Sequence, residues 1–222
     1  MSEANDILTI DVVGDVVCPW CYLGEKRLEM ALKEAPQRVA LRWRPYQLDP
    51  TIPEGGLDRA EYMAKKFGGG GRLKTIHDTL VRLGAEVGLS FAFERIERTP
   101  NTLDAHRLVR WGDSMGVQDK IVDRLFRAYF VEGRDIGDRA VLTDIAAGCG
   151  LDAGIVKTLF SEGADIEAVR QEIDVARAIG VSGVPFFIFA GRFAVPGAQD
   201  VALLRRAMAQ ARREMKAAQT AA

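Results

Sequence analysis

Cys18-Pro19-Trp20-Cys21 is the stretch on which the reading of this sequence turns. Upstream, residues 7–13 (ILTIDVV) alternate, with Leu8, Ile10 and Val12 apolar against Thr9 and Asp11, the period-2 pattern of a half-buried strand. Downstream, residues 19–35 read as a helix closed by Pro36, and residues 39–43 alternate again through Val39, Leu41 and Trp43. Strand, helix and strand in so short a span predict a βαβ unit with the cysteine pair at its strand-to-helix turn. Proline is favoured at N1, where its missing N–H is no loss. Cys18 therefore falls at or near the N-cap, facing unpaired N–H groups and the positive end of the helix dipole. That place favours thiolate over thiol. A stabilised thiolate leaves faster and favours the reduced dithiol, so the helix is expected to tune redox balance more than attack rate. Cys21 lies close to one turn further on, within reach of the first sulfur.

Outward from this unit the pattern becomes helical. A helix is expected at 59–67, a glycine run follows at 68–71, and Leu73, Ile76, Leu80 and Leu83 then recur at helical spacing. Asn101 after Pro100 reads as an N-cap with Asp104 at N3, ahead of a stripe of Leu108, Trp111 and Met115. Ile121, Val122, Leu125, Phe126 and Tyr129 make the next stripe. Asp138 caps a helix whose face holds Leu142, Ile145 and Cys149, with Gly150 as its stop. Further helices fit 154–161 and 165–179. Strand signals return at 186–189, break at Gly191 and resume at 193–195, before a last helix at 200–216 and an Ala-rich tail. Strands drawn from both ends of the chain predict one α/β domain, residues 1–57 with 180–222, interrupted by an all-helical insertion at 58–179. Gly180-Val181-Ser182-Gly183-Val184-Pro185 leads straight into the returning strand, where a proline at the first position is sterically allowed.

Charge and cysteine usage exclude several classes. The 222 residues carry 30 Lys and Arg against 31 Asp and Glu, a net charge of -1 that argues against a nucleic-acid or anionic-membrane partner. No apolar run approaches the roughly 20 residues of a membrane helix. Residues 1–6 show neither the basic cluster nor the apolar segment of an export signal, so a cytoplasmic location is expected. In that compartment a cysteine pair is more often catalytic or metal-binding than structural. Zinc wants four ligands. Only Cys149, His77 and His106 remain to complete a set, in no paired spacing, so no metal is expected. The glycine run lacks G-x-x-x-x-G-K-[ST] and reads as a flexible link rather than a phosphate loop. Cys149 reads as a small buried apolar residue, His77 as a packing residue, and Phe186, Phe187 and Phe189 as sheet core. His106, near the apolar face of its helix, is either a satisfied buried histidine or a site-lining one.

Taken together, D-x-x-C-P-W-C at 15–21, G-V-P-F-F-I-F at 183–189 and the helical insert resemble the thioredoxin superfamily. More narrowly they resemble its DsbA-like branch, and within it the FrnE-type oxidoreductases. N-T-L-D-A-H-R-L at 101–108, L-F-R-A-Y-F at 125–130 and V-P-G-A-Q at 195–199 are similar to that subfamily too. The likeness runs from about residue 7 to 210. It implies a thioredoxin-like fold, with Cys18 as the exposed attacking thiol and Cys21 as the resolving one. It further implies a cis Val184–Pro185 bond against the pair, offering a backbone edge to a substrate chain. Pro19 and Trp20 are then redox-tuning and substrate-facing, and Asn101 and His106 candidates to line the site. No tightly bound cofactor is expected. Glutathione or a thioredoxin-type reductant would serve as co-substrate, and the partner would be a protein or small-molecule thiol or disulfide; a homodimer is left open. The glutathione poise of the cytoplasm favours reductase or isomerase work over net oxidation. Two alternatives stand beside this: a glutathione-dependent isomerase or transferase of the 2-hydroxychromene-2-carboxylate isomerase type, whose members lack the C-x-x-C pair, and a peptide-binding chaperone module.

Overall fold

The computed structural model describes residues 7–34, 38–68 and 71–220. The expected helix stop at Pro36, Gly69 and Gly70 of the glycine run, the first six residues and the last two lie outside them. In chain order, β1 (Leu8–Gly14), α1 (Pro19–Lys33) and β2 (Val39–Pro45) form the βαβ unit. A block follows of β3 (Leu57–Asp58), α2 (Arg59–Phe67), α3 (Gly71–Ala85), β4 (Arg98–Thr99), α4 (Leu103–Ser114) and α5 (Gln118–Phe130). It continues through α6 (Arg139–Gly148), α7 (Ala153–Ser161) and α8 (Ile166–Ala178). The chain then returns through β5 (Phe186–Phe189), β6 (Phe193–Pro196) and α9 (Val201–Thr220).

The main sheet runs β2-β1-β5-β6. β1 and β2 are parallel, from Leu8 opposite Val39 to Gly14 opposite Pro45, while β5 returns antiparallel with Phe186 opposite Val13. Leu8, Ile10 and Val12 are buried as their alternation predicts, and Val13 is buried on the other face with Ala176 and Val181. Residues from both ends of the chain thus meet in one sheet, as expected.

The insertion is not a separate globule. Tyr22 of α1 stacks on Phe126 of α5 with centroids 4.9 Å apart, and Trp43 of β2 meets the same ring edge-on at 6.1 Å. Each such buried aromatic contributes about 1.5–3 kcal/mol by burial. α1 is thereby fixed to the insertion. Among the described residues no helix is long and apolar enough to cross a membrane.

Five local expectations need correction. The block is not purely helical, because β3 and β4 form a two-residue antiparallel ladder, Leu57 opposite Thr99 and Asp58 opposite Arg98. The N-cap of α4 is Thr102, so Asp104 is at N2; Asn101 sits one residue earlier, its Oδ1 accepting from the Leu103 N–H at 2.9 Å. Met115 lies just past the last turn of α4 and is 64% exposed rather than part of the stripe. Cys149 is the C-cap of α6 and only half-buried, since the helix face it was to share ends before it. Phe187 and Phe189 are core, while Phe186 is half-buried on the opposite face.

Candidate active site

Cys18 occupies the N-cap of α1 in an extended conformation (φ -92°, ψ 112°), with Pro19 at N1. Its carbonyl accepts from the N–H groups of Cys21 (3.0 Å) and Tyr22 (3.2 Å), and its own N–H donates to Asp15 O at 2.9 Å. Both Cys18 and Cys21 are free thiols within hydrogen-bonding reach of each other. The expected exposure of Cys18 is corrected: the residue is 3% accessible and Cys21 1%. The reason is a contact with a segment distant in sequence. The Cys18 side chain makes no cap bond to the helix N–H groups; its thiol instead donates to Val184 O, with Sγ 3.7 Å away. Trp20, expected to face substrate, is half-buried and packs against the core.

The Val184–Pro185 bond is cis, and Pro185 is buried beside the helix. Pro185 O is taken by the Gly197 N–H at 2.8 Å, while among the described residues the Val184 N–H makes no backbone bond outside its own turn. Gly24 makes this approach of α1 to the proline achievable. A β-carbon there would lie 2.9 Å from Pro185 Cγ and 3.2 Å from Phe187 Cζ. Nothing in the sequence reading singled out Gly24, although a glycine inside a helix, about 1 kcal/mol worse than alanine, is itself a signal.

Beneath the pair lies Asp15, 2% exposed. Its Oδ2 accepts from the Leu48 N–H at 2.8 Å, whereas its buried Oδ1 accepts no hydrogen bond. His106 Nε2 stands 3.4 Å from that oxygen and 3.0 Å from Tyr46 O; the carbonyl contact requires this nitrogen to carry a proton. His106 is therefore a satisfied buried histidine and also a neighbour of Asp15. Burial pushes the Cys21 thiol well above its ordinary range, and the neighbouring Cys18 and the Asp15 charge push it the same way. An adjacent backbone hydrogen bond from Asp15 partly opposes them.

Asn101 does not reach the pair. Its Oδ1 accepts from Gln47 Nε2 at 3.0 Å and its Nδ2 donates to Ile52 O at 2.6 Å, so it fastens the loop after β2. His77 stacks on Phe93 with centroids 4.0 Å apart. Among the described residues no group of three or more His, Cys, Asp or Glu is arranged to hold a metal ion. One further ionisable residue that sequence reasoning passed over, Arg59, is buried beside the redox turn. A charged residue in the first turn of a helix carries no sequence signal of burial.

Known proteins bear on this geometry. A crystal structure of a probable DsbA oxidoreductase, SCO1869 from Streptomyces coelicolor, is 29% identical with a TM-score of 0.84, covering 92% of this chain and 89% of that one. The uncharacterized protein YwbO of Bacillus subtilis (strain 168) is 27% identical over 201 residues, 90% of this chain and 94% of its own length. The fold is also shared, at 18% identity and TM-score 0.71, with a 2-hydroxychromene-2-carboxylate isomerase, covering 93% and 97%. The cytosolic disulfide reductase DsbM from Pseudomonas aeruginosa, solved with GSH, shares it at 20% identity and TM-score 0.63, covering 96% and 99%. The family description "DSBA-like thioredoxin domain" matches residues 9–209. That match runs from β1 into α9, through both halves of the sheet and the whole insertion, and the chain belongs to the DsbA-like thioredoxin family.

Proposed function

We propose that this chain is a FrnE-type thiol–disulfide oxidoreductase of the cytoplasm, working as a reductase or isomerase through Cys18 and Cys21. The observation that supports this most is the pairing of two free thiols at the head of one helix, with a cis-proline turn against the first sulfur. In the reducing direction the Cys18 thiolate attacks one sulfur of the substrate disulfide. A mixed disulfide forms and the other substrate sulfur leaves as a thiolate, which takes up a proton. Cys21 then loses its proton and attacks Cys18 Sγ, leaving the Cys18–Cys21 disulfide and releasing the second substrate sulfur as a thiolate, which also takes up a proton. The substrate has gained two electrons and two protons. Two equivalents of glutathione, or one dithiol of a thioredoxin-type reductant, return the pair to thiols and carry the electrons away as their own disulfide. Isomerisation uses the first step, after which a different substrate thiolate attacks the mixed disulfide, forms the new substrate disulfide and expels Cys18 as a thiolate.

Each neighbour has a part in this proposal. Burial holds the Cys21 proton on until attack. The Asp15 carboxylate, with one oxygen that accepts no hydrogen bond, receives that proton. The unpaired Val184 N–H takes a substrate backbone carbonyl in strand fashion. Trp20 and Val184 must shift to admit a disulfide to Cys18, since the sulfur is covered at rest.

Insulin disulfide reduction tests the reading. Cys18→Ser is expected to abolish it, and Cys21→Ser to accumulate a mixed disulfide with substrate. Full activity in Cys18→Ser overturns the mechanism. Tight glutathione binding without disulfide exchange would instead favour an isomerase of the kind whose fold the chain shares. Holdase activity that survives loss of both thiols would favour a chaperone module.

A further inference from the structure

On the far side of Pro19 a cavity opens between the redox turn, α2 and α3. It is partly open to solvent, with a cavity volume of about 100 Å³. Val17 and Pro19 form one wall, Met63 and Phe67 of α2 a second, Leu73 and Ile76 of α3 a third. These last four are half-buried, apolar side chains whose helices turn Glu61, Lys65 and Lys74 to solvent. The apolar stripes of α2 and α3 are thus left partly uncovered where they meet the redox turn.

Arg59 lies in this cavity, 8% exposed. Its Nη1 donates to Tyr129 Oη at 3.0 Å and its guanidinium lies 5.8 Å over the same ring, but among the described residues it has no carboxylate partner. A buried charge left unpaired is costly, and a guanidinium has five donors in a fork that fits a carboxylate. The other ionisable groups around the cavity are engaged, except for one oxygen of Asp15. Asp49 accepts from Thr51 and from Tyr62 Oη, and Lys66 donates to Tyr62 Oη at 2.9 Å on the exposed rim. Asp15 holds the Leu48 N–H, and His77 is stacked on Phe93. Burial, helped by the Arg59 charge, holds His77 below its ordinary range and so uncharged at neutral pH.

We propose that this cavity binds the non-reacting end of the substrate, a small organic carboxylate with an apolar body, its carboxylate on Arg59 and its body along Met63, Phe67, Leu73 and Ile76. The inference rests on the disulfide-exchange reading for its consequence: a disulfide held here presents its sulfur to Cys18 past Pro19. The substrate class it names is the carboxylate-bearing apolar thiol or disulfide, selected over neutral ones of the same size.

Two aromatic disulfides separate the cases, at fixed ionic strength and with the reduced full chain. Dithiobis(nitrobenzoate) carries carboxylates and dithiodipyridine does not. Stopped-flow reaction with Cys18 is expected to saturate at a concentration about tenfold or more lower for the first. Arg59→Gln is expected to raise that concentration about 10- to 100-fold while leaving the neutral disulfide unchanged. Equal half-saturation in the unaltered chain overturns the proposal without any variant having to fold. Phenylpropanoate, which cannot exchange, is expected to bind by calorimetry where phenylpropanamide does not; failure of that binding overturns the cavity assignment whatever the thiols do. Binding of phenylpropanoate with no reaction of either disulfide would uphold the cavity and overturn the exchange reading instead.

Discussion

Arg107 and Arg59 are both buried guanidiniums on helices of the insertion, and their surroundings could hardly differ more. Arg107 is fully enclosed, with Nη1 on Asp104 Oδ1, Nε on Ala164 O and Nη2 on Leu159 O, each at 2.6 Å. Trp111 and Phe160 lie 5.1 and 5.3 Å from its guanidinium carbon. Among the described residues the Arg59 guanidinium has one hydrogen bond, to a tyrosine, and it faces a cavity. A saturated buried charge ties backbone segments together, here α4 to α7 and the turn before α8. An unsaturated one beside a cavity is free to hold something that is not part of the chain. Buried polar groups are rarely left without partners, so this difference is informative about function.

The comparison can be broken at several points. Arg107→Met should cost most, about 3–5 kcal/mol in urea unfolding, because two carbonyls and Asp104 lose their donor inside the protein. A cost below 1 kcal/mol would mean that its saturation holds nothing together.

Glu25, on α1, carries the same contrast into the carboxylates. Its Oε2 is buried without a hydrogen bond, 3.5 Å from Lys26 Nζ. Burial lifts its carboxyl from 4.5 to about 7, Lys26 opposing and Asp123 and Glu29 assisting. The unfolded chain therefore ionises this group at lower pH than the folded one. Its contribution to stability is present below about pH 4.5 and lost as pH rises through about 7. Relative to Glu25→Gln, the unaltered chain should lose about 3 kcal/mol across that window. Parallel stability profiles for the two proteins would contradict the assignment.

Gly24→Ala tests how tightly the redox face itself is built. Helix propensity alone favours the change by about 1 kcal/mol. Crowding of Pro185 and Phe187 should outweigh that and leave a net loss of about 1–3 kcal/mol, with slower exchange at Cys18. Stabilisation would show that α1 and the cis-proline turn can part freely. Arg59→Met should have the smallest effect on folding, within about 1 kcal/mol of the unaltered chain, because an unpaired buried charge is exchanged for an apolar side chain of similar length. A loss as large as that of Arg107→Met would make Arg59 structural.

The reading of the fold rested on the residues that carry strong periodicity. Residues 7–12 alternate because one face of β1 is buried more deeply than the other, residues 186–189 are apolar throughout because both faces of β5 are covered, and the stripes of α4 and α5 recur because those helices bury one side. What escaped was set by distant partners. β3 and β4 are two residues each, defined only by their pairing across α2 and α3. The burial of Cys18 depends on Val184, remote in sequence, whose carbonyl takes the thiol away from the helix N–H groups. The candidate pair itself was legible, since C-x-x-C after a strand and before a helix is a local pattern. The burial of Asp15, legible only as the first residue of its motif, and that of Arg59 were not: neither an aspartate in a turn nor an arginine at a helix start signals what the fold will close over it.

The central claim is that Cys18 and Cys21 interconvert between dithiol and disulfide within the folded chain. Equilibration in glutathione buffers of graded ratio, followed by acid quench, alkylation and peptide mass analysis, tests it directly. The account predicts that the two cysteines lose and regain their hydrogens together, through a Cys18–Cys21 disulfide, along a two-electron curve, while Cys149 stays apart. Cys18 and Cys21 remaining thiols at every ratio, or modified singly with no bond between them, would contradict it.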